Sequence, residues 1–208
     1  MAKPAPNTAP SDWGDFYRYT AGREPRPLFL KGRAAVAAAG LEPGQAVDIG
    51  FGDGTESLEL LRAGWRVTAI DPTQSAASIL TGKVPAELHD RLEIVTIGVE
   101  SADLPDFDFL YAGYALSFIH PDRFPAAWAA IRERMRPGGV LAVNVFGIHD
   151  TWAKDPEMTF VNRAGATALL AGLDVVAIDE EDADGPSASG PKHWHLFDLV
   201  ARRPSATD

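Results

Sequence analysis

Three alternate glycines flanked by acids form the segment whose residue types and spacing could do chemistry. The segment reads Val47-Asp-Ile-Gly-Phe-Gly-Asp-Gly-Thr-Glu56, with an apolar run before it and helically spaced leucines after it. Glycine permits a left-handed backbone and close approach of a ligand, and a helix N-terminus offers unpaired amides. The pattern predicts a strand, a turn and a helix. The turn is either purely structural or a ligand-binding loop.

An acid at the end of the next strand-like run favours the binding loop. Asp71 follows the first glycine by 21 residues, and a carboxylate in that position can accept the hydroxyl protons of a ribose. A dinucleotide-binding loop would need its last glycine where Thr55 stands. Asp48 and Asp53 would repel a pyrophosphate and attract an ammonium group. These residues predict a cofactor that combines adenosine with a cationic amino-acid end, namely S-adenosylmethionine.

Strand-like and helical runs alternate along the chain and must position these residues. The strand-like runs are 46–50, 66–71, 92–98, 107–112, 140–146, 173–178 and 194–201, and the helical runs are 55–63, 74–88, 125–135 and 163–171. This alternation predicts an α/β fold with a sheet of seven strands, mostly parallel, and helices on both faces. Residues 180–191 are polar and lack a helix signal, so they predict an irregular loop and an antiparallel last strand.

Composition limits the partners of this protein. A chain of 208 residues suits one domain, and a formal net charge of −10 disfavours nucleic acid and anionic membranes as partners. Cysteine is absent, which excludes disulfides and thiolate metal sites. No apolar run has the length of a membrane span, and the N-terminus lacks a signal-peptide pattern. We therefore expect a cytoplasmic protein with one domain over 13–203, between tails at 1–12 and 204–208.

The chain resembles the class I S-adenosylmethionine-dependent methyltransferases over nearly all of residues 12–203. The motifs that carry this resemblance are Val47–Gly54, Val67–Asp71 and Arg136–Leu141. It is also similar to a bacterial subgroup near the tellurite-resistance and thiopurine-type methyltransferases, in the segments Gly22–Leu28, Trp152–Phe160 and Pro191–His195. Phe51 replaces the cysteine that is usual in the glycine loop of that subgroup, and Thr55-Glu56 replaces an arginine-aspartate pair. The resemblance implies a Rossmann-like fold and leaves the acceptor class open.

The resemblance also implies roles for residues along the cofactor. The methionine end is expected at Asp48, Gly50, Gly52 and Gly54. The ribose is expected at Asp71 with Pro72 beside it, and the adenine is expected at Glu100 and Ser101. Tyr111 is expected beneath the sulfonium.

The segment before the first strand, residues 13–35, is rich in aromatic residues and has two plausible roles. It either packs a helix against the sheet or, by analogy with the family, forms a lid over the cofactor and the acceptor. In the second case Tyr17 contacts the acceptor and Tyr19 contacts the cofactor. Arg23 or Arg26 would then meet a carboxylate, which belongs either to an anionic acceptor or to the cofactor.

The acceptor is expected in the crevice beyond the carboxyl ends of the strands. The aromatic and histidine residues that the strands deliver to this edge are Tyr114, Phe118, His120, Phe146, His149, Trp152, His193, Trp194 and His195. Many such residues only cap a core, but several of them converge here. His120, His149 and His193 are the candidate general bases, because histidine titrates near neutrality. A metal site of these three histidines lacks any tight ligand spacing, so we expect no metal.

These residues predict transfer of a methyl group to an N, O or S atom of a small molecule. Holding the acceptor atom in line with the sulfonium, in a water-poor site, can supply most of the catalysis. Two alternatives use the same fold and cofactor. One is a cyclase or isomerase that does not transfer the methyl group, and the other is a non-catalytic S-adenosylmethionine-binding protein.

Overall fold

The computed structural model describes residues 13, 17, 20, 22–187 and 190–205 of the chain. Its helices are α1 (Pro27–Ala38), α2 (Thr55–Arg62), α3 (Gln74–Lys83), α4 (Phe124–Arg134) and α5 (Arg163–Leu169). Its strands are β1 (Gln45–Ile49), β2 (Arg66–Ile70), β3 (Leu92–Val95), β4 (Phe107–Ala112), β5 (Met135–Gly147), β6 (Phe160–Val161), β7 (Asp174–Ser187) and β8 (Gly190–Arg202). Short 3₁₀ helices cover Ala86–Arg91, Val99–Ser101 and Leu116–Phe118. No helix in these described ranges is long and apolar enough to cross a membrane.

The strands form one sheet in the order β3-β2-β1-β4-β5-β8-β7, with the short β6 paired to β5. All pairings are parallel except those of β8, which runs antiparallel to both β5 and β7. The predicted α/β sheet with an antiparallel last strand is therefore confirmed, and β6 is an addition to it. The chain order reverses between β1 and β4, and ligands of open α/β sheets bind at such a switch point.

Helices cover both faces of the sheet, as predicted. On one face, α4 contributes Trp128 and Ile131 to an apolar layer that includes Phe107 of β4 and Phe197 of β8. On the other face, α1, α2 and α3 pack around a second apolar layer that contains Trp65. Because both faces are buried, β1 and β4 are mainly apolar, and Asp48 is the fully buried acid in them that needs a reason.

The hairpin of β7 and β8 is much longer than the sequence indicated. The prediction of an irregular segment over 180–191 was wrong, because the described part of this segment continues the ladder as far as the pair Ser187 and Gly190. The ladder needs only backbone hydrogen bonds, so the polarity of these residues does not end it. Acids of β7 also lie opposite basic or titratable residues of β8, as in the pairs Asp182 with His195 and Asp184 with His193.

The second half of the expected lid segment, 13–35, is a core helix. Helix α1 begins with Pro27 in its first turn, a position where proline is favoured, and it buries Phe29 and Val36 against the sheet. Among the residues before it, only Trp13, Tyr17, Thr20 and Gly22–Arg26 are described. A lid role therefore remains open only for the segment upstream of α1.

We predict that α1 requires glycine at position 32 to pack closely against the sheet. A Cβ at Gly32 would lie 2.5 Å from the Cβ of Ala142 and 3.0 Å from the ring of Phe109. Gly32→Ala should therefore lower the free energy of unfolding by about 1–3 kcal/mol, measured by urea denaturation. Gly82→Ala in α3 is the matched control, because nothing lies within 4 Å of its added Cβ. The control should be neutral or stabilising by up to about 1 kcal/mol. Equal stability of the two variants would contradict this packing.

Candidate active site

A cavity of about 640 Å³ opens at the carboxyl ends of β1, β2 and β4. Its walls come from residues upstream of α1, the glycine turn, the segments after β3 and β4, and the β7–β8 hairpin. Its lining residues include Tyr17, Arg23, Arg26, Gly50, Gly52, Asp53, Glu56, Asp71, Pro72, Thr73, Glu100, Tyr111, Tyr114, Phe118, Phe146, Trp152, Glu181, Pro186, Ser187 and Trp194. The volume lies in the range of small-molecule sites.

The glycine turn follows β1 with three left-handed residues. Gly50, Gly52 and Gly54 have φ angles of +69°, +54° and +76°. Added Cβ atoms would lie 2.5 Å from the Cβ of Ala115 at Gly50 and 2.5 Å from a methyl of Leu80 at Gly54. Both the backbone conformation and the space therefore require glycine at these positions. The sharp turn leaves open the cavity wall between β1 and β4.

Asp71 lies at the end of β2 with its carboxylate held in one orientation. One oxygen accepts the backbone N–H of Thr73 at 2.9 Å, and the other accepts the N–H of Gly52 at 3.1 Å. The hydroxyl of Tyr17 lies 3.4 Å from both oxygens. The side chain is 4% exposed but lines the cavity. A carboxylate fixed in this way keeps lone pairs for hydroxyl donors of a ligand.

Asp48 is a buried acid on β1 that is paired through only one oxygen. The hydroxyl of Ser57 donates to Oδ2 at 2.6 Å, while Oδ1 is buried and has no hydrogen-bond partner. Burial, reinforced by the negative charge of Glu56, raises the pKa of Asp48 to about 8. The carboxyl group is thus mainly protonated at neutral pH and does not carry the negative charge that the sequence suggested.

Asp53 and Glu56 are also compensated within the protein. The guanidinium of Arg23 donates to both carboxylate oxygens of Glu56, at 2.6 and 2.5 Å, and lies 3.4 Å from Asp53. Asp53 also pairs with the ammonium of Lys83 at 3.0 Å and accepts the hydroxyl of Thr55 at 2.8 Å. Our expectation that Asp48 and Asp53 attract an ammonium therefore changes. The first is mainly neutral, and the second already has two cationic partners.

Five aromatic side chains form one end of the cavity, which we call the aromatic chamber. They are Tyr114, Phe118, Phe146, Trp152 and Trp194. The centroids of neighbouring rings lie 5.7–6.3 Å apart, mostly in edge-to-face or tilted arrangements. Tyr114 has a φ of +57°, which is strained for a residue with a side chain, and its N–H donates to Asn144 at 2.6 Å. That hydrogen bond helps to hold the Tyr114 ring in the chamber.

A buried ion pair between Lys192 and Asp150 packs against the tryptophans of the aromatic chamber. The ammonium of Lys192 lies 2.5 Å from both oxygens of Asp150, and both side chains are almost fully buried. The same ammonium lies 3.8 Å from the ring centroid of Trp194 and 4.2 Å from that of Trp152. Asp150 also accepts the N–H of Trp152 at 2.9 Å. The Lys192–Asp150 ion pair therefore holds both tryptophans in position.

The structure places no histidine in the lining of the cavity, and all five histidines lie in the described part of the chain. His120 is half-buried and accepts the N–H of Asp122. His149 and His193 bind the two oxygens of Asp182, at 2.9 and 2.7 Å. Trp194 of β8 lines the cavity. Because side chains alternate along a strand, its neighbours His193 and His195 point away from the cavity. The predicted histidine bases and the predicted acceptor contact His195 thus lack support from the geometry.

His195 is held in the cluster outside the cavity. Its Nδ1 accepts the backbone N–H of His149 at 2.9 Å, and its Nε2 lies 3.1 Å from Glu180. The ligand atoms of His149, Asp182 and His195 lie within 4.8 Å of one another, a combination that our expectation of no metal did not consider. Both ring nitrogens of His195 already have hydrogen-bond partners, so the geometry shown is that of an ion-paired cluster.

The other predicted site residues divide into two groups. Those that line the cavity are Gly50, Gly52, Asp71, Pro72, Glu100 and Tyr111 on the expected cofactor side, and Tyr17, Arg26, Tyr114, Phe118, Phe146 and Trp152 on the expected acceptor side. Asp48, Gly54 and Ser101 do not line it, and Tyr19 lies outside the described residues. Asp48 instead accepts the hydroxyl of Ser57 in α2, and Gly54 faces Leu80 of α3.

Sequence reasoning missed several lining residues. Glu181, Pro186 and Ser187 reach the cavity because the hairpin folds over it, and nothing in their local sequence indicates that pairing. Glu56 and Thr73 each stand near a predicted motif, at the start of α2 and just after Asp71. Their proximity to those motifs was the signal that could have found them.

Comparisons with known proteins bear on this arrangement. Residues 46–139 match the family described as a methyltransferase domain. This match supports the predicted resemblance to the class I S-adenosylmethionine-dependent methyltransferases. The structure of 1,6-didemethyltoxoflavin-N1-methyltransferase from Burkholderia thailandensis is similar with a TM-score of 0.66 and 21% identity, over 97% of this chain and 95% of that chain. TehB from Haemophilus influenzae is similar with a TM-score of 0.69 and 15% identity, over 92% and 67%. At these identities the likeness of the methyltransferase domain to both structures shows the fold.

Sequence relatives match part of their length. Trans-aconitate 2-methyltransferase from Deinococcus radiodurans is 34% identical over 110 residues, which are 51% of this chain and 39% of the relative. The chain spans between about a third and a half of the length of the curated relatives it matches. The predicted class I methyltransferase resemblance is confirmed for the domain. These partial matches leave the activity and the acceptor of the whole protein open.

We predict that Asp48 makes the stability of the free protein fall with rising pH. The folded state holds a proton on this carboxyl up to a pKa of about 8, whereas the unfolded chain releases it near 3.8. The contribution of Asp48 to the free energy of unfolding should therefore decrease between about pH 4 and pH 8, by at most about 1.4 kcal/mol per pH unit, and level off above. Urea denaturation of the wild type and Asp48→Asn measures the difference. A difference that stays constant from pH 5 to pH 8 would contradict the prediction.

Proposed function

We propose that this protein transfers a methyl group from S-adenosylmethionine to a small molecule bound in the aromatic chamber. The observation that carries the proposal is the carboxylate of Asp71, pinned by two backbone N–H groups at the cavity wall beside the left-handed glycine turn. This arrangement suits the hydroxyl groups of a ribose and leaves no room for a side chain at Gly50. The cavity has a second, aromatic end where a separate acceptor can lie.

The residues around the cavity fit this cofactor. We assign the ribose to Asp71 with Pro72, the adenine to Glu100, and the methionine end to Gly50, Gly52 and Tyr111. Tyr111 supports the fit because its hydroxyl is buried and has no hydrogen-bond partner. A buried polar atom without a partner is costly unless a ligand satisfies it. Asp48, although behind the wall, presents an equally unpaired oxygen on the neighbouring strand β1, where it lies opposite Tyr111.

S-adenosylmethionine, when bound, supplies a methyl group on a sulfonium. The contribution of this chain is to hold an acceptor and exclude water, because the chamber walls are aromatic and Phe146 is almost fully buried. Since the described histidines lie outside the lining, we assign proton removal to none of them. This favours acceptors that are nucleophilic as bound, such as an amine or a carboxylate. A cytoplasmic location stays a prediction.

Binding of S-adenosylhomocysteine tests the cofactor site. We expect calorimetry to give a dissociation constant in the micromolar range, which corresponds to a binding free energy of about −8 kcal/mol. Asp71→Ala should weaken binding at least about tenfold, because it removes a buried acceptor of hydroxyl protons. Asp71→Asn keeps the side-chain volume and should weaken it less. Asp103→Ala, at a carboxylate whose side chain is 94% exposed, is the matched control. Unchanged binding by Asp71→Ala would refute the assignment of the ribose.

Product mass separates methyl transfer from its alternatives. Incubation of the protein with labelled S-adenosylmethionine and a library of amines, phenols and acids should give S-adenosylhomocysteine and a product that is one methylene heavier. A product of unchanged mass would instead identify a cyclase or isomerase. Cofactor binding without turnover of any library member would favour the non-catalytic alternative.

A further inference from the structure

Arg26 is the cavity-lining cation whose charge the structure leaves available. It precedes α1 as its N-cap, and its backbone N–H donates to Glu56 at 3.0 Å. Its guanidinium lies over the ring of Tyr114, 4.6 Å from the centroid. Within the described ranges, Arg26 forms no ion pair with any carboxylate. Its position is thus set by its backbone and by an aromatic ring, and its guanidinium donates no hydrogen bond to another residue in the part of the chain that the structure describes.

The cations nearby are already committed. Arg23 holds both oxygens of Glu56 and approaches Asp53, and Lys83 holds Asp53 from the other side. Glu56 accepts two donors from Arg23 and one from the backbone of Arg26. The acids next to the glycine turn therefore do not draw the guanidinium of Arg26 away from Tyr114.

Arg26 belongs to the aromatic end of the cavity. Tyr114, on which it stacks, lies edge-to-face with Phe146 at 6.2 Å and with Trp194 at 5.8 Å. Asp71, which we assign to the ribose, is not among the partners of Arg26 within the described chain. The guanidinium therefore lies where the aromatic chamber adjoins the assigned methionine end, within reach of a group on the acceptor.

We propose that Arg26 binds a carboxylate of the acceptor, and that the acceptor is a planar aromatic or unsaturated acid. An arginine fork matches a carboxylate through two parallel hydrogen bonds, and flat rings stack well between aromatic walls. Glu181 lines the same cavity from the hairpin and would repel an acid, so the carboxylate is oriented toward Arg26 and away from β7. The inference rests on the proposed function, because it concerns the same cavity.

The experiment compares acids with their neutral amides on protein saturated with S-adenosylhomocysteine. The probes are anthranilate, 4-hydroxybenzoate and cinnamate, each paired with its amide and titrated by calorimetry. We expect at least one acid to bind about tenfold more tightly than its amide, and the preference to shrink as salt is added. Arg26→Leu should abolish the preference, and Arg26→Lys should retain part of it.

Further measurements distinguish a carboxylate of the acceptor from the carboxylate of the cofactor. They also separate failure of this inference from failure of the proposed function. Arg26→Leu should change the affinity for S-adenosylhomocysteine by less than about threefold, a small effect on this scale. A larger loss, with the acid preference intact, would mean that Arg26 binds the carboxylate of the cofactor. Glu181→Gln removes a lining charge of opposite sign and should leave acid binding unchanged or tighter. Equal binding of acid and amide in every pair would overturn the inference. Failure of the wild type to bind S-adenosylhomocysteine would instead refute the proposed function.

Discussion

The left-handed turn of Gly50, Gly52 and Gly54 is the constraint on which the cavity depends. It redirects the chain from β1 into α2 through three residues without side chains, and the N–H of Gly50 donates to the carbonyl of Ile70 at 2.7 Å. The N–H of Gly52 fixes the carboxylate of Asp71. An added Cβ would lie 2.5 Å from Ala115 at Gly50, 3.1 Å from the ring of Tyr17 at Gly52 and 2.5 Å from Leu80 at Gly54. The turn thus makes the opening and also orients the acid that borders it.

Charge around the turn is distributed differently from its formal count. Asp53 and Glu56 are held by Arg23 and Lys83, and burial keeps Asp48 mainly protonated. A local cluster of three acids is therefore nearly neutral, and the net charge of −10 resides mainly on other surfaces. Specific charge in the cavity comes from groups without internal partners. This is why we base the acceptor class on Arg26 rather than on the bulk acidity.

Local patterns predicted the elements better than their extents. The mainly apolar runs of β1, β2 and β4 were recognised because burial on both faces leaves a strong apolar signal, and the glycine turn was recognised by its spacing. The continuation of the β7–β8 ladder into 180–191 was not recognised, because the residues that β7 contributes to it are mostly polar and exposed. The histidines were assigned to the cavity rim by strand position, although the alternation along β8 gives that place to Trp194. A shift of one residue along a strand moves a side chain to the other face of the sheet and so reverses its assignment to the cavity.

The sequence by itself determined the parallel sheet, the antiparallel last strand, the glycine turn and the acid at the end of β2, because each depends on residues close together in the chain. Tertiary structure alone decided which charges survive in the cavity. Arg23 meets Glu56 across 33 positions, and Lys192 meets Asp150 across 42. The first pair leaves the guanidinium of Arg26 without an acidic partner among the described residues, and the second fixes the tryptophans of the chamber. Neither pair has a local signal, since a contact between distant residues depends on how the whole chain packs.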